Sequence, residues 1–245
     1  MSISFISNWS LPLPCNWHAI QSSPGGLSIV NDITRKGGKV LSVIVNPGDD
    51  PIFYGGNRAE VLIPTANGIA IMETHNPIEV VYGFSIKPAI DWIPPGKDIL
   101  GQSWGVTVQL HGPDSLNCSP AWALELSNEF AFDMTVGPQP KGGFGKKYSL
   151  TDSALRAGQW SDFILQILYS VSTTGYAILR RRAINGTFPR VFEYHGPTLQ
   201  WVEGNLPGNH YIKLGYYCSL GGPSKLLHGP FVRGNSLQDV INAAF

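Results

Sequence analysis

The chain has 245 residues, enough for one large domain with a substantial buried core, and a single domain over residues 1–245 is expected. Lysine plus arginine and aspartate plus glutamate balance at 17 each, so no global positive field exists to hold nucleic acid, an anionic membrane or a densely sulfated polymer. Charged residues make up only 14%, against 28 glycines, 19 prolines and 11% aromatics, a mix that favours short strands and many turns over long amphipathic helices.

In chain order, the opening "MSISFISNWSLPLPCNW" has neither a basic start nor a long apolar run, so no export signal is expected there. No stretch of about 18 apolar residues follows anywhere, and no membrane-crossing helix is expected. "KVLSVIV" at 39–45 is a continuous apolar run bounded by turn residues and predicts a buried strand. The turn "NPGDDP" carries Asp49 and Asp50, whose carboxylates offer a structural calcium site, although aspartate in a turn is the plainer reading. In "NRAEVLIP" alternation puts Arg58 and Glu60 on one strand face and Ala59, Val61 and Ile63 on the other. "EVVYGFSI" is another strand, and "WGVTVQLH" follows with Thr107, Gln109 and His111 set against Val106, Val108 and Leu110.

"WALELS" and "FAFDMTV" continue the pattern, whereas "TDSALRAGQW" predicts one short turn of helix leading into a strand that begins near Asp162. "STTG" predicts a hairpin loop between "SDFILQILYSV" and "GYAILRRR", and "AING" a further turn. In "HYIKLGYYCSL" the residues Ile212, Leu214, Tyr216 and Cys218 share one face, leaving Tyr211, Lys213, Gly215 and Tyr217 on the other. The tail "NSLQDVINAAF" predicts a short helix or a closing strand. At least nine strands, little helix and no internal repeat describe an all-β sandwich of two packed antiparallel sheets. The cysteines Cys15, Cys118 and Cys218 are widely spaced with no CxxC pair, which argues against a zinc ribbon, a redox motif or a disulfide framework.

Three strands thus offer Arg58/Glu60, Gln109/His111 and Lys213/Tyr217 on polar faces. A hydrated outer face is the ordinary reading of such a pattern. The residue types speak against it, because a plain solvent face is rich in Lys, Glu, Thr and Ser, whereas Gln, His, Arg and Tyr suit the chemistry of a site.

The segments "GGNRAEV", "VQLHG" and "YIKLGYY" occur in the order and at approximately the spacing of three hallmark motifs, R-x-E, Q-x-H and Y-[FI]-K-x-G-x-Y. On these the sequence resembles the β-jelly-roll polysaccharide lyases, a group that includes the heparin lyase I, glucuronan lyase and alginate lyase types. "WHAIQSSPGGLSIVND" is similar to the opening strand of that group, and "GQWSDFILQILYSVSTTGYAILRRRAING" to a later hairpin, so nearly the whole chain is covered. The sequence departs from the pattern at Arg180–Ile184, where relatives place a tryptophan, and at Cys218.

The resemblance implies a concanavalin A-like jelly-roll sandwich and cleavage of a uronic-acid polymer by β-elimination, with an anionic polysaccharide as partner, no cofactor required, and a site of action outside the cytoplasm. It implies Arg58 and Gln109 as donors to the uronate carboxylate, His111 as base, Tyr217 as acid, and a weaker carboxylate role for Gln21. Lys213 and Tyr211 are expected to line the substrate, and Glu60 to orient Arg58 through an ion pair. Arg180 and Arg182 offer contacts to a polyanion. Glucuronan, alginate or a similar exopolysaccharide fits a neutral protein better than heparin. The rival readings are a non-catalytic carbohydrate-binding domain on the same fold and a glycoside hydrolase using Glu125 and Glu129, which are not convincingly placed on one face.

Overall fold

The computed structural model describes residues 3–7, 9–13, 16–49, 56–98, 100–112, 119–139, 146–202, 208–219 and 223–245. Two antiparallel sheets face each other. One has nine strands, ordered Arg190–His195, Tyr176–Arg181, Ser161–Leu168, Val80–Pro88, Ser224–His228, Lys39–Val45 and Leu27–Asn31, with Val232–Gly234 also pairing Val80–Pro88 and carrying Ile3–Ile6. The other has eight, ordered Lys146–Ala154, Glu129–Met134, Trp122–Leu126, Gly105–His111, Tyr211–Ser219, Gly56–Ala66 and Trp17–Ser22, with the short Ile69–Ala70 beside Gly56–Ala66. Both are jelly-roll sheets, and all nine runs singled out in the sequence are strands.

The apolar face of each sheet meets the other in one large core. Phe130 of the eight-stranded sheet meets Phe163 of the nine-stranded sheet edge to face at 5.0 Å, and Trp122 lies 6.0 Å from Tyr82. Both contacts fall in the range that favours aromatic pairs. The tail forms the helix Leu237–Ala244, capped by Ser236, which lays Val240 and Ala244 on the far face of the nine-stranded sheet against Val81, Ile164 and Val232. Gly83 permits this contact, because a Cβ there would stand 2.9 Å from both Ala244 Cβ and Val240 Cγ1.

The helical turn expected in "TDSALRAGQW" is not formed over its first half, where Thr151–Ala154 completes the edge strand Lys146–Ala154. The reason is tertiary. Arg181, buried between the rings of Phe130 and Phe163, donates to the Asp152 and Ala154 carbonyls at 2.8 and 2.9 Å and to Ser161 Oγ at 2.9 Å, which holds the chain extended. The STTG loop joins two paired strands as expected, and Gly186, at φ 82°, closes the AING turn by donating to the Ala183 carbonyl at 2.9 Å. Asp49 accepts from Asn46 N at 2.7 Å, which is the turn role, and Asp50 lies outside the described residues. Cys218 is a buried free thiol, while Cys15 and Cys118 lie outside the described residues.

Candidate active site

Four adjacent strands of the eight-stranded sheet bring most of the expected residues together on the face turned away from the core. Strand register sets Lys213 opposite Gln109, Tyr211 opposite His111, Tyr217 opposite both Arg58 and Val106, and Glu60 between Gly215 and Gln21. The intervening Ile212, Leu214, Tyr216 and Cys218 belong to the core, as do Ala59, Val61, Val108 and Leu110. This face is recessed, since Arg58, Glu60, Gln109 and Lys213 are all buried although none points into the core.

Strict alternation fails at two places. Val108 and Val106 oppose Leu214 and Tyr217, so the Tyr211–Ser219 strand carries an extra residue, and a second irregularity at Thr107 sets Val106 opposite Glu125. Val106 therefore aligns with Tyr217 and Arg58 instead of joining the core, contrary to the simple pattern. Ile63 also leaves the expected face. Its φ of 56° ends the alternation after Leu62.

Gly215 marks the first bulge. A Cβ there would lie 2.1 Å from the Ala59 carbonyl oxygen and 2.7 Å from Glu60 Cα, both backbone atoms that cannot yield as a flexible side chain would. Gly215→Ala is expected to cost about 1–3 kcal/mol of stability by forcing these strands apart. An unchanged denaturant midpoint would contradict that close approach.

The polar contacts form one network. Arg58 Nη1 donates to Gln21 Oε1 at 3.1 Å, and Lys213 Nζ reaches the same oxygen at 3.5 Å. Gln109 Nε2 donates to Glu60 Oε1 at 2.6 Å, whereas Glu60 Oε2 is 3.8 Å from Arg58 Nη1. The nearer partner of Glu60 is thus Gln109, and its pairing with Arg58, expected to be the main one, is the looser. Burial pushes the Glu60 carboxyl above its ordinary value, opposed by Lys213, Arg58 and Gln109.

His111 and Tyr217 occupy separate ends of this network. His111 Nδ1 is 2.8 Å from the Gly112 carbonyl oxygen, and its ring stacks on Tyr211 at 5.2 Å. A carbonyl oxygen only accepts, so in the neutral imidazole Nδ1 carries the proton and Nε2 the lone pair. The Tyr217 ring lies under the Arg58 guanidinium, with Cζ 4.0 Å from its centroid, and meets Trp104 edge-on at 4.7 Å. Trp104 is held in turn by donation from Nε1 to Asp98 Oδ2 at 2.9 Å. Burial raises the Tyr217 phenol above its ordinary value, and Arg58 offsets part of that rise.

Arg180 and Arg182 are not brought here. They lie at the end of the Tyr176–Arg181 strand in the other sheet, where Arg180 Nε donates to Gln166 Oε1 at 2.8 Å and Arg182 Nη1 pairs with Asp162 at 3.3 Å. Arg182 also lines a surface cavity of about 650 Å³ beside the C-terminal helix, which shares no residue with the network above.

The sequence reading missed another cluster on the same sheet. The row through Lys213 and Gln109 continues across Ala123 to Asp133 and Lys147, and Glu125 ion-pairs with Lys147. Burial raises the carboxyls of both Glu125 and Asp133. The alternation of "FAFDMT" would have placed Asp133 on this face, since its neighbours Phe132 and Met134 are core. Glu129 is not part of it, being exposed in the hairpin and bonded by Ser153. Among the described residues no group of three or more His, Cys, Asp or Glu side chains is arranged to hold a metal ion.

A family model described as polysaccharide lyase matches residues 15–235. The chain belongs to the polysaccharide lyase family. Among solved structures, the lyase is similar to an endo-β-1,4-glucuronan lyase from the fungus Trichoderma reesei, at 18% identity over 98% of each chain with a TM-score of 0.69. It is similar to a marine alginate lyase from Zobellia galactanivorans, at 15% identity over 84% of this chain and 83% of that one, TM-score 0.54. A third likeness is to an alginate lyase solved with an alginate trisaccharide, at 12% identity over 96% and 99% of the two chains, TM-score 0.56. At these identities the likeness establishes the shared jelly-roll sandwich. A search of curated protein sequences finds no match.

Proposed function

We propose that this lyase cleaves a uronic-acid-containing polysaccharide, of the glucuronan, alginate or similar exopolysaccharide class, by β-elimination. The observation that carries the reading is the meeting of Gln21, Arg58, Gln109 and Lys213 from four neighbouring strands on one recessed face. Two cations and amide donors grouped there suit a carboxylate. The proton next to a uronate carboxylate is weakly acidic, because its removal adds negative charge to a group already anionic. Arg58, Gln109 and Lys213 stabilise that charge as it develops, in the manner of an oxyanion hole.

His111 takes the α proton at Nε2, the electron pair left behind forms the carbon–carbon double bond, and the bond to the glycosidic oxygen breaks. Tyr217 supplies the proton that the leaving oxygen needs. Once His111 releases its proton to solvent and Tyr217 regains one, the net change is one proton moved from carbon to oxygen; no water is consumed, and the new end is an unsaturated uronate. Burial of Tyr217 keeps its phenol protonated, which suits an acid and opposes its use as a base. A second scheme, with Tyr217 as both base and acid, draws support from register alone. His111 and Val106, the partner of Tyr217, are five residues apart along one strand, on the order of 16 Å at the backbone, so the first scheme requires both side chains to reach inward along the groove to a single sugar linkage, and the second does not. The substrate of either scheme is an extracellular polymer, and the lyase is proposed to meet it outside the cytoplasm.

Incubation with a panel of polyuronates should raise ultraviolet absorbance on at least one of them, through the conjugated double bond of the product. Binding without any rise would instead favour a carbohydrate-binding role. The His111→Ala variant separates the two schemes, since only the first requires the imidazole.

A further inference from the structure

Glu60 takes no part in the steps above, yet it is the most deeply placed ionisable group of the network, at 1% exposure. One of its oxygens accepts from Gln109 Nε2 at 2.6 Å, and the other is buried without a hydrogen-bond partner. Such a contact to a charged acceptor is shorter and stronger than one between neutral groups. A side-chain amide nitrogen carries two protons. When one is committed to Glu60, the amide can no longer rotate to exchange its oxygen for its nitrogen, and the second N–H has a fixed direction.

We propose that Glu60 is the positioning residue of this site, holding the Gln109 amide by one N–H so that the other is presented to the substrate carboxylate. The inference rests on the elimination reading given above. The groups that face Glu60 are Arg58 on its own strand, Lys213 and Tyr217 on one neighbouring strand, Gln21 on the other, and Gln109 one strand further. Protonation of Glu60 releases Gln109 from an anionic acceptor. The effect should appear as pH falls through a carboxyl raised by burial.

The test is a double-mutant cycle with Glu60→Gln and Gln109→Ala, read as kcat, KM and pH profile, with Glu60→Asp as a variant that keeps the charge on a shorter arm. Glu60→Gln alone should lower kcat about 10-fold to 10²-fold, without raising KM, and should remove one acidic limb from the wild-type profile. In the Gln109→Ala background the same change should cost almost nothing more, because its effect passes through the amide already removed. Glu60→Asp should fall between. Additive losses, or an unaltered pH profile, overturn the inference.

A second readout does not depend on turnover. The Gln109 side-chain amide resonances, identified by their loss in Gln109→Ala, should shift as pH is raised upward from the ordinary carboxyl range in the wild type and stay still in Glu60→Gln. A wild type inactive on every polyuronate would sink the elimination reading, while this titration would still decide whether Glu60 governs the amide.

Discussion

Replacing Tyr217 by phenylalanine is expected to cut turnover about 10³-fold while leaving the fold intact. The substitution removes one oxygen and keeps the ring that lies under the Arg58 guanidinium at 4.0 Å and against Trp104 at 4.7 Å. The ring packing is kept and Arg58 loses only its contact with the phenol oxygen, so KM should move little. What disappears is the proton for the leaving oxygen, and a glycosidic oxygen departing as a bare alkoxide is the costliest part of the elimination. The sign of the pH effect follows from burial. A phenol raised above its ordinary value stays protonated throughout the neutral range, so the acid should not limit the wild-type rate until strongly alkaline pH. The check is kcat followed by product absorbance, with thermal melting as a control. A variant retaining more than about a tenth of wild-type kcat would remove Tyr217 from the acid role.

Glu73→Ala should be the most destabilising single change considered, at about 3–5 kcal/mol. Glu73 is buried beneath Arg233, which donates from Nε at 2.6 Å and from Nη2 at 2.8 Å. The same carboxylate accepts from the Tyr82 hydroxyl at 2.6 Å, and Tyr82 is 2.9 Å from the Tyr169 hydroxyl. Deleting the carboxylate strands a largely buried guanidinium and leaves one of the two paired phenols short of an acceptor. Breaking a buried pair costs far more than the pair contributes over an apolar substitute. The loss should appear as a lower denaturant midpoint. A loss below about 1 kcal/mol would mean that water reaches Arg233 and replaces the carboxylate.

The parts of the molecule legible in the sequence are those where one local rule decides. Lys39–Val45 is bounded as "KVLSVIV" predicts, because a continuous apolar run has one face to bury against each layer. The tail was expected as a short helix or a closing strand and is the helix, capped by Ser236. Arg58, Gln109 and Lys213 were placed together because strand alternation, once the core face is known, fixes the other face. Alternation failed where a backbone irregularity intervenes. Val106 and Ile63 moved off their expected faces through a bulge, whose sole local sign is Gly215 in the facing strand, and a left-handed residue that carries no composition signature. Thr151–Ala154 failed for a different reason: local propensity was overruled by Arg181, a residue distant in sequence. Arg180 and Arg182 lie at the other sheet, and a run of charges says nothing about which sheet it joins. Strands such as Arg190–His195 and Ser224–His228 were not anticipated, being short and mixed in character.

The strand order carries a consequence for how the protein is made. In the eight-stranded sheet a central pair joins residues about 150 positions apart, Lys213 lying opposite Leu62. In the nine-stranded sheet Val80–Pro88 waits for Ser224–His228 and Val232–Gly234 before its far edge is covered. During synthesis, neither layer can close until the strands between residues 211 and 234 have left the ribosome. Until then the apolar faces of both layers have nothing to bury against. Folding should therefore be slow, late and cooperative, since loop closure must come before the contacts that reward it. The nascent chain is the form most exposed to aggregation, and the last strands and the helix that follows them act as the latch on the whole sandwich.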